Sequence, residues 1–522
     1  MGIINGLLNS LNGVWVIRGL PVWLQILIVI PSCFALCVLA NICSQILFKD
    51  PTAPPVVFHY VPFVGSTVSY GMEPYAFFAD CKERYGDVFT FILLGKRITV
   101  PLGAKGNELV FNSKLSEVSA EEAYTGFTTP VFGKGVVYDV PNHVLMEQKR
   151  FVKFGLSTEN FKLYAPMIAA ETRDYLNKDG YFGLAGGKTT GTVDVMRSMS
   201  ELTLYTASRT LQGKEVRAGF DHTYAQLYHD LDKGFRPINF MFPWMPLPNN
   251  GKRDRAQRKM ANCFIALIEK RKASKERPDS DMIWNLMNQS YKNGRALSDT
   301  EIAHIMIALL MAGQHTSSAT SAWILLRLAE QPNLIADLYQ EQLKVYGQDL
   351  TPLTYETLSQ CSLLSYVIRE TLRMHPPLHS LMRKVKAPLS VPGTNYIIQK
   401  DTFILAAPGS SALDPDNFED PTSFLPWRWA NRKETVDTEQ VDYGYGLVSK
   451  GTQSPYLPFG AGRHRCIGEQ FAYLQLGTII ATIVRELTWT LPPGQTKASL
   501  PDYSTMIAQA KTPANIVWKK RS

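Results

Sequence analysis

The chain has 522 residues, 45% of them hydrophobic and 11% aromatic, which is ample for a large packed core and excludes disorder as a class. Lys and Arg number 54 against 46 Asp and Glu, a net charge of +8 that suits acidic partners or anionic lipid, while no basic block is long enough to imply nucleic acid. Seven cysteines, odd in number and scattered, without a CxxC pair or a Cys/His cluster, point to reduced thiols rather than a disulfide framework or zinc.

Residues 1–20 read as an N-terminal tail. Residues 19–48 carry no charged side chain and are rich in Leu, Ile and Val, with Trp23 near the start. A membrane-spanning helix needs about 20 apolar residues, so an anchor helix is predicted over 21–48, with Pro31 as a possible kink. Lys49-Asp50-Pro51 follows at once, where a cleaved signal peptide would show a small-residue site. Lys49 favours a cytosolic body; Arg18 on the other flank opposes it. Pro51, Pro54, Pro55 and Pro62 make 49–62 a stiff extended linker. Asn288-Gln289-Ser290 is a formal glycosylation sequon, silent if the body is cytosolic.

The body, 63–522, opens with a helix near Pro74–Tyr85. Alternating residues Asp87 to Val100 follow, with Gly95-Lys96 as the hairpin turn. Helical patterns dominate from 141 to 375. Short strands and Pro-rich loops fill 380–465, one helix follows Cys466, and strands end the chain. The class is mainly α with small β-sheets. The stretch 172–195 carries no functional signal.

Ser298-Asp299-Thr300-Glu301 is a capping box, and the pattern it opens runs to Gln331, where Pro332 stops it. Such a helix is about 50 Å long. Its middle, Gly313-Gln314-His315-Thr316-Ser317-Ser318, is too polar for a bilayer centre without partners, so a buried helix lining a cavity is predicted. Gly313 serves either close helix packing or room for a flat cofactor and a small ligand. In the second case His315 and Thr316 become an oxygen-binding and proton-relaying pair.

The strongest local signal is Phe459-Gly460-Ala461-Gly462-Arg463-His464-Arg465-Cys466-Ile467-Gly468. Glycines let backbone N–H groups approach the sulfur, and those donors stabilise a thiolate and tune a bound metal. Arg463, His464 and Arg465 are expected to add positive charge, and a helix from Ile467 its dipole, all lowering the thiol pKa. A thiolate on haem iron favours O–O cleavage. Cys81, Cys263 and Cys361 read as buried, inert thiols.

This loop resembles the haem-binding signature Phe-x-x-Gly-x-Arg/His-x-Cys-x-Gly of the cytochrome P-450 superfamily, through Phe459, Gly462, His464, Cys466 and Gly468. Glu370 and Arg373 resemble the family's Glu-x-x-Arg pair, and Phe424-x-Pro426-x-Arg428-Trp429 its downstream partner, whose arginine joins the pair to lock the core. The similarity covers about 60–520, which implies a single large catalytic domain. Two further segments, YTGFTTPVFGKGVVY from Tyr124 to Tyr138 and MAGQHT from Met311 to Thr316, resemble the sterol 14α-demethylases, the first of them the fungal type.

The resemblance implies a haem b (iron protoporphyrin IX) ligated by Cys466. Tyr124, Tyr138, Lys149, Arg383 and His464 would bind its propionates. Oxygen-cleavage protons would pass through His315 and Thr316. Tyr124, Phe127, Thr128, Phe132, Phe235, Pro237, Leu378, Ser380, Met382 and Met506 would line the sterol cavity. Met382 stands where related fungal proteins often carry a larger aromatic residue. The implied reaction is removal of the 14α-methyl group of lanosterol or eburicol as formic acid, by three successive oxygenations, in ergosterol synthesis. Electrons would come from NADPH through a separate NADPH-cytochrome P-450 reductase, which a basic face at Lys149, Arg150, Lys153, Arg463 and Arg465 would meet. The implied location is the endoplasmic reticulum membrane, single-pass with the body in the cytosol, and azole inhibitors would bind. A hydroxylase of another lipid or foreign compound, and a haem-containing sterol carrier or sensor, are the alternatives.

Overall fold

The computed structural model describes residues 21–178, 180–219, 222–274, 281–432, 440–452 and 454–521; the expected tail 1–20, with Arg18, lies outside them. The helices that carry the site are α1 (Val22–Leu47), α2 (Glu121–Phe132), α3 (Asn142–Gly155), α4 (Val195–Ala207), α5 (His222–Asp232), α6 (Asp299–Glu330), α7 (Ser362–Met374) and α8 (Glu469–Glu486).

Helix α1 matches the predicted anchor. It buries none of its residues, contains Pro31 and carries no charge. Its 26 residues reach about 39 Å, more than a bilayer's hydrocarbon core of about 30 Å. Its last turns are tied to the chain beyond it: Asn41 Nδ2 donates to the His59 and Tyr60 carbonyls (2.9 and 3.0 Å) and Gln45 Nε2 to His59 (2.8 Å). The proline-rich stretch that follows is not a free spacer. Val57 N donates to Thr90 O and Thr90 N to Pro55 O, both at 2.8 Å, so the stretch pairs with the first strand of the body.

That strand belongs to a five-stranded sheet built from β1 (Val88–Leu93), β2 (Lys96–Pro101), β3 (Val118–Ser119), β5 (Leu381–Val385) and β6 (Phe403–Ala406). Its order is β1-β2-β6-β5-β3, antiparallel except for the β2–β6 pair. The hairpin turn is Leu94-Gly95, one residue earlier than expected. Both residues have positive φ (45° and 79°), as a tight two-residue turn requires. A Cβ on Gly95 would stand 2.7 Å from the Phe63 ring, so glycine is needed there twice over. One strand interrupts the expected helical stretch: β4 (Thr190–Asp194) joins β7 (Leu487–Thr490) and β8 (Asn515–Lys520) in a second sheet, β7-β8-β4. Its contribution comes from chain ends far apart in sequence, which is why the alternation at 190–194 carries no signal by itself.

Helix α6 crosses the whole body, packing on α4, α7 and α8. The capping box is formed, with the Ser298 side chain accepting from Glu301 N and the Glu301 carboxylate from Ser298 N. Most of the helix is buried, yet Ala312 is exposed and Gly313 half-buried between Met311 at 2% and Gln314 at 0%, and Thr316, one turn on, is half-buried too. Those three positions share one face of the helix and look onto a space inside the body.

Candidate active site

Next to Cys466, Ile467 packs against the apolar cluster to which α6 contributes Ile307, Leu310 and Met311. Gly460 and Gly462 have φ of 68° and 63°, and a Cβ on Gly462 would meet the Phe111 carbonyl oxygen and Asn112 Oδ1 at 2.7 Å. Only glycine fits, and the close approach folds the loop back so that Cys466 N donates to Phe459 O at 3.0 Å. The Gly468 N–H donates to the sulfur, as the loop predicts. Cys466 is exposed to a water-sized contact although protein surrounds it closely on every side, so its sulfur lines an internal space.

The expected electrostatics need correction. Burial pushes the Cys466 thiol up; the Gly468 N–H, Lys149 and Arg465 only oppose that shift. His464 adds no charge near neutrality, because burial and the cations Arg383, Lys149 and Arg463 hold its imidazole well below the usual range. Arg465 is neutralised by Glu469, with two contacts at 3.0 Å. Helix α8 starts at Glu469 rather than Ile467. Lowering the thiol therefore falls to the metal itself.

Around the same space stand the buried Arg383 and the half-buried Lys149, both without an acid. Lys149 Nζ donates to the Arg463 and Arg465 carbonyls (2.9 and 3.0 Å) and lies 4.4 Å from the centre of the Tyr445 ring, and burial brings its pKa down to about 7. Arg383 is 4% exposed and donates to the Met382 carbonyl at 2.7 Å. Among the described residues, no carboxylate lies within ion-pair reach of either. Tyr124 and Tyr138 stack at 5.3 Å, and Tyr138 lies 6.1 Å from the His464 ring. Burial raises both phenols, Tyr138 to about 12, so both remain neutral donors. Thus the sequence-predicted set Tyr124, Tyr138, Lys149, Arg383 and His464 converges. A buried charge needs a partner, so this set fits a group bearing two carboxylates. Its convergence also corrects the expected basic face: Lys149 turns inward, and Arg465 is already paired.

Behind the loop, the predicted lock is closed. Glu370 is fully buried and accepts from Arg373 (3.0 and 2.8 Å), Arg428 (3.0 Å), Trp429 Nε1 (2.9 Å) and Leu425 N (3.0 Å). Arg373, also fully buried, spends its remaining donors on the carbonyls of Ala412, Pro421 and Ser423. A separate cavity of about 500 Å³ adjoins this frame; it touches Arg465 and Glu469 and leaves Cys466 out, so it is not the reaction space. Of the thiols read as inert, Cys81 and Cys361 are buried with pKa raised to about 12 and about 11, chiefly by burial, but Cys263 is exposed.

On the far side of the space, Phe235 packs against Phe127 (5.0 Å) and Phe132 (5.7 Å) and lies 6.4 Å from His315. Tyr124, Met382 and Met506 belong to the adjoining apolar cluster. Met382 N donates to Tyr124 Oη at 2.8 Å, and Thr128 Oγ1 to the Tyr124 carbonyl at 3.1 Å. Ser380 meets Tyr70 at 3.0 Å, a partner sequence reading missed. Leu378 is half-buried, and Pro237 is exposed at the start of a short helix, outside the cluster. The Thr316 hydroxyl donates to Ala312 O, 2.8 Å away on its own helix. His315 Nε2 lies 3.2 Å from Asp232 Oδ1 at the end of α5, close but too poorly aligned for a hydrogen bond. Burial lowers the His315 pKa against the pull of Asp232, so the ring is mostly neutral near pH 7. Asp232 is a second missed partner: 83 positions separate it from His315, and no local pattern joins them.

The family model for Cytochrome P450 matches residues 54–518. The chain belongs to the cytochrome P450 family. The lanosterol 14-alpha demethylase of Schizosaccharomyces pombe is 52% identical over 92% of this chain and 96% of its own length. That of Mycosarcoma maydis is 52% identical over 96% and 94%, and a sterol 14-alpha demethylase of Gibberella zeae is 50% identical over 99% and 100%. A retinoic acid-bound cyanobacterial cytochrome, CYP120A1, shares the fold at a TM-score of 0.75 with 21% identity, over 91% of this chain and all of that one. As in every member of this family, haem is the cofactor, and this cytochrome P450 is a monooxygenase dependent on an electron donor.

Proposed function

We propose that this cytochrome P450 is a sterol 14α-demethylase that removes the 14α-methyl group of lanosterol or eburicol as formate, in three oxygenations. The observation that carries the reading is the convergence of Lys149, Arg383, Tyr124, Tyr138 and His464 near Cys466, with no carboxylate, among the described residues, within ion-pair reach of Lys149 or Arg383.

Cys466 would hold the iron of a bound haem, and Lys149, Arg383, Tyr124, Tyr138 and His464 would take its propionates. When bound, the haem supplies insertion of one oxygen atom from O2 into a C–H bond at the cost of two electrons from NADPH. The chain's own residues do the rest. The aromatic and methionine wall of Phe127, Phe132, Phe235, Met382 and Met506 excludes water and presents a flat apolar surface to the sterol rings. Thr128, Leu378, Ser380 and Pro237 complete the approach. Asp232 is 43% exposed and His315 19%, so a small turn of the imidazole into line with Asp232 would join solvent to His315 and let a proton move on toward Thr316. Glu370, Arg373 and Arg428 keep the cysteine side rigid.

The chain is organised as tail 1–20, anchor 21–48, linker 49–62 and one catalytic domain 63–522. It sits in the endoplasmic reticulum membrane with the body in the cytosol, taking electrons from NADPH-cytochrome P-450 reductase. Azole inhibitors would bind in the same space through a nitrogen donor to the iron of a bound haem. The test is turnover of lanosterol and of eburicol with reductase and NADPH, followed by product mass and formate. Loss of the methyl with release of formate supports the proposal; a product bearing one added oxygen as the end point contradicts it.

A further inference from the structure

His315 is held without hydrogen bonds to Nε2, so something else must orient its ring. Tyr228 does so. It is buried at 6% exposure, and its ring stacks on the imidazole at 5.3 Å and 29°. Phe235 closes a second side, at 66° to the imidazole plane.

The Tyr228 hydroxyl donates to Gln314 Oε1 at 2.5 Å. Gln314 is completely buried, and its amide nitrogen donates to the Ser200 carbonyl (2.8 Å) and Ser200 Oγ (2.9 Å) on α4. Those two donor bonds decide which end of the amide faces Tyr228, so the phenol always meets an acceptor. Gln314 and His315 are neighbours on α6, about 100° apart around its axis. One grips the hydroxyl of Tyr228 and the other its face. Tyr228 and Asp232 are four residues apart on α5 and share one side of it. Fixing Tyr228 therefore fixes Asp232 at its 3.2 Å approach to His315.

We propose that Tyr228, anchored through Gln314 to Ser200, is a positioning residue that holds the His315 imidazole against Asp232 and so sets how many electrons end in product rather than in hydrogen peroxide. The inference rests on the reading of His315 as a proton-delivering group. Burial keeps the Tyr228 phenol far above its ordinary pKa, so it stays a neutral donor and takes no part in proton transfer itself.

The experiment measures product formed and hydrogen peroxide released per NADPH, using the full chain with reductase and lanosterol. The variants are Tyr228→Phe, Tyr228→Leu, His315→Ala and the double variant Tyr228→Leu/His315→Ala. Product per NADPH falls about tenfold in Tyr228→Leu, the scale of a misplaced catalytic group. Tyr228→Phe keeps the stack and loses the tether, and its yield falls about threefold. The reduced carbon-monoxide spectrum and the sterol-binding shift stay those of the parent, which a general structural defect would not leave untouched. The double variant falls no further than His315→Ala. A parent-like yield in Tyr228→Leu beside a collapsed yield in His315→Ala overturns the positioning role alone. A parent-like yield in His315→Ala overturns the reading beneath it, and the inference with it. An added loss in the double variant shows that Tyr228 acts by another route and also overturns the inference. If Tyr228→Leu does not retain haem, Tyr228→Phe decides: a lowered yield supports the role and a parent-like yield overturns it.

Discussion

The two sides of the reaction space are built differently. On the cysteine side, Glu370 accepts five hydrogen bonds from Arg373, Arg428, Trp429 and a backbone N–H, and Arg373 is satisfied by three carbonyls beyond it. Within that frame Glu370 and Arg373 are both saturated. On the His315 side, the wall is aromatic contact, and the ionisable pair His315–Asp232 touches without a proper hydrogen bond. The first side is a rigid mount for a metal ligand. The second can re-pack around a sterol and re-form a proton path at each step, because ring contacts have broad minima where hydrogen bonds have narrow ones. Substitutions should therefore cost stability on one side and turnover on the other.

The largest effect should come from Glu370→Ala. It strands the fully buried Arg373 and takes one partner from the partly exposed Arg428, a loss of about 3–5 kcal/mol, and should yield little haem-containing protein. Unfolding by denaturant measures it; near-parental stability would erase the contrast between the two sides. His315→Ala should leave folding and haem content intact while lowering the demethylation rate about a hundredfold, the usual scale for a lost proton donor. A loss of folded protein in that variant would put both sides in one class.

Glu301 tests the helix that both sides share. Burial alone would raise its carboxyl, but Arg295, Ser298 and Tyr291 bring it down to about 2 from 4.5. A carboxylate with a lowered folded pKa stabilises above its unfolded value and loses that contribution as pH falls toward the folded one. Glu301→Gln should thus be less stable than the parent at neutral pH, with the gap closing as pH drops below about 4.5. A pH-independent gap would assign the effect to packing. The smallest effect is expected for Tyr138→Phe. It removes one neutral donor beside His464 and should shift azole affinity by about fivefold, with no change in stability; unchanged affinity would separate Tyr138 from the iron's surroundings.

How much was legible in the sequence follows the same division. The cysteine loop, the Glu370–Arg373 pair, the capping box at Ser298 and the apolar N-terminal helix are short-range patterns, and each formed where it was expected; Arg428, 58 residues from Glu370, was legible only through its family motif. The His315 side was legible only in part. Asp232, Tyr228 and Tyr70 come from distant segments, and only packing brings them to the site. Charge was the least legible quantity. Lys149 and His464 look like surface cations in sequence, but both are drawn inside, where burial lowers their pKa and leaves His464 neutral. Turn placement slipped by one residue because two consecutive positive φ angles were needed, and only Gly95 advertised one.

The central claim, that Cys466 is the thiolate holding the iron, is tested most directly by the reduced, carbon-monoxide-bound absorption spectrum of the parent and of Cys466→Ser. The parent should show a strongly red-shifted Soret band that vanishes in the variant along with demethylation, while the variant remains membrane-bound. A red-shifted band that survives the substitution would place the ligand elsewhere and contradict the account.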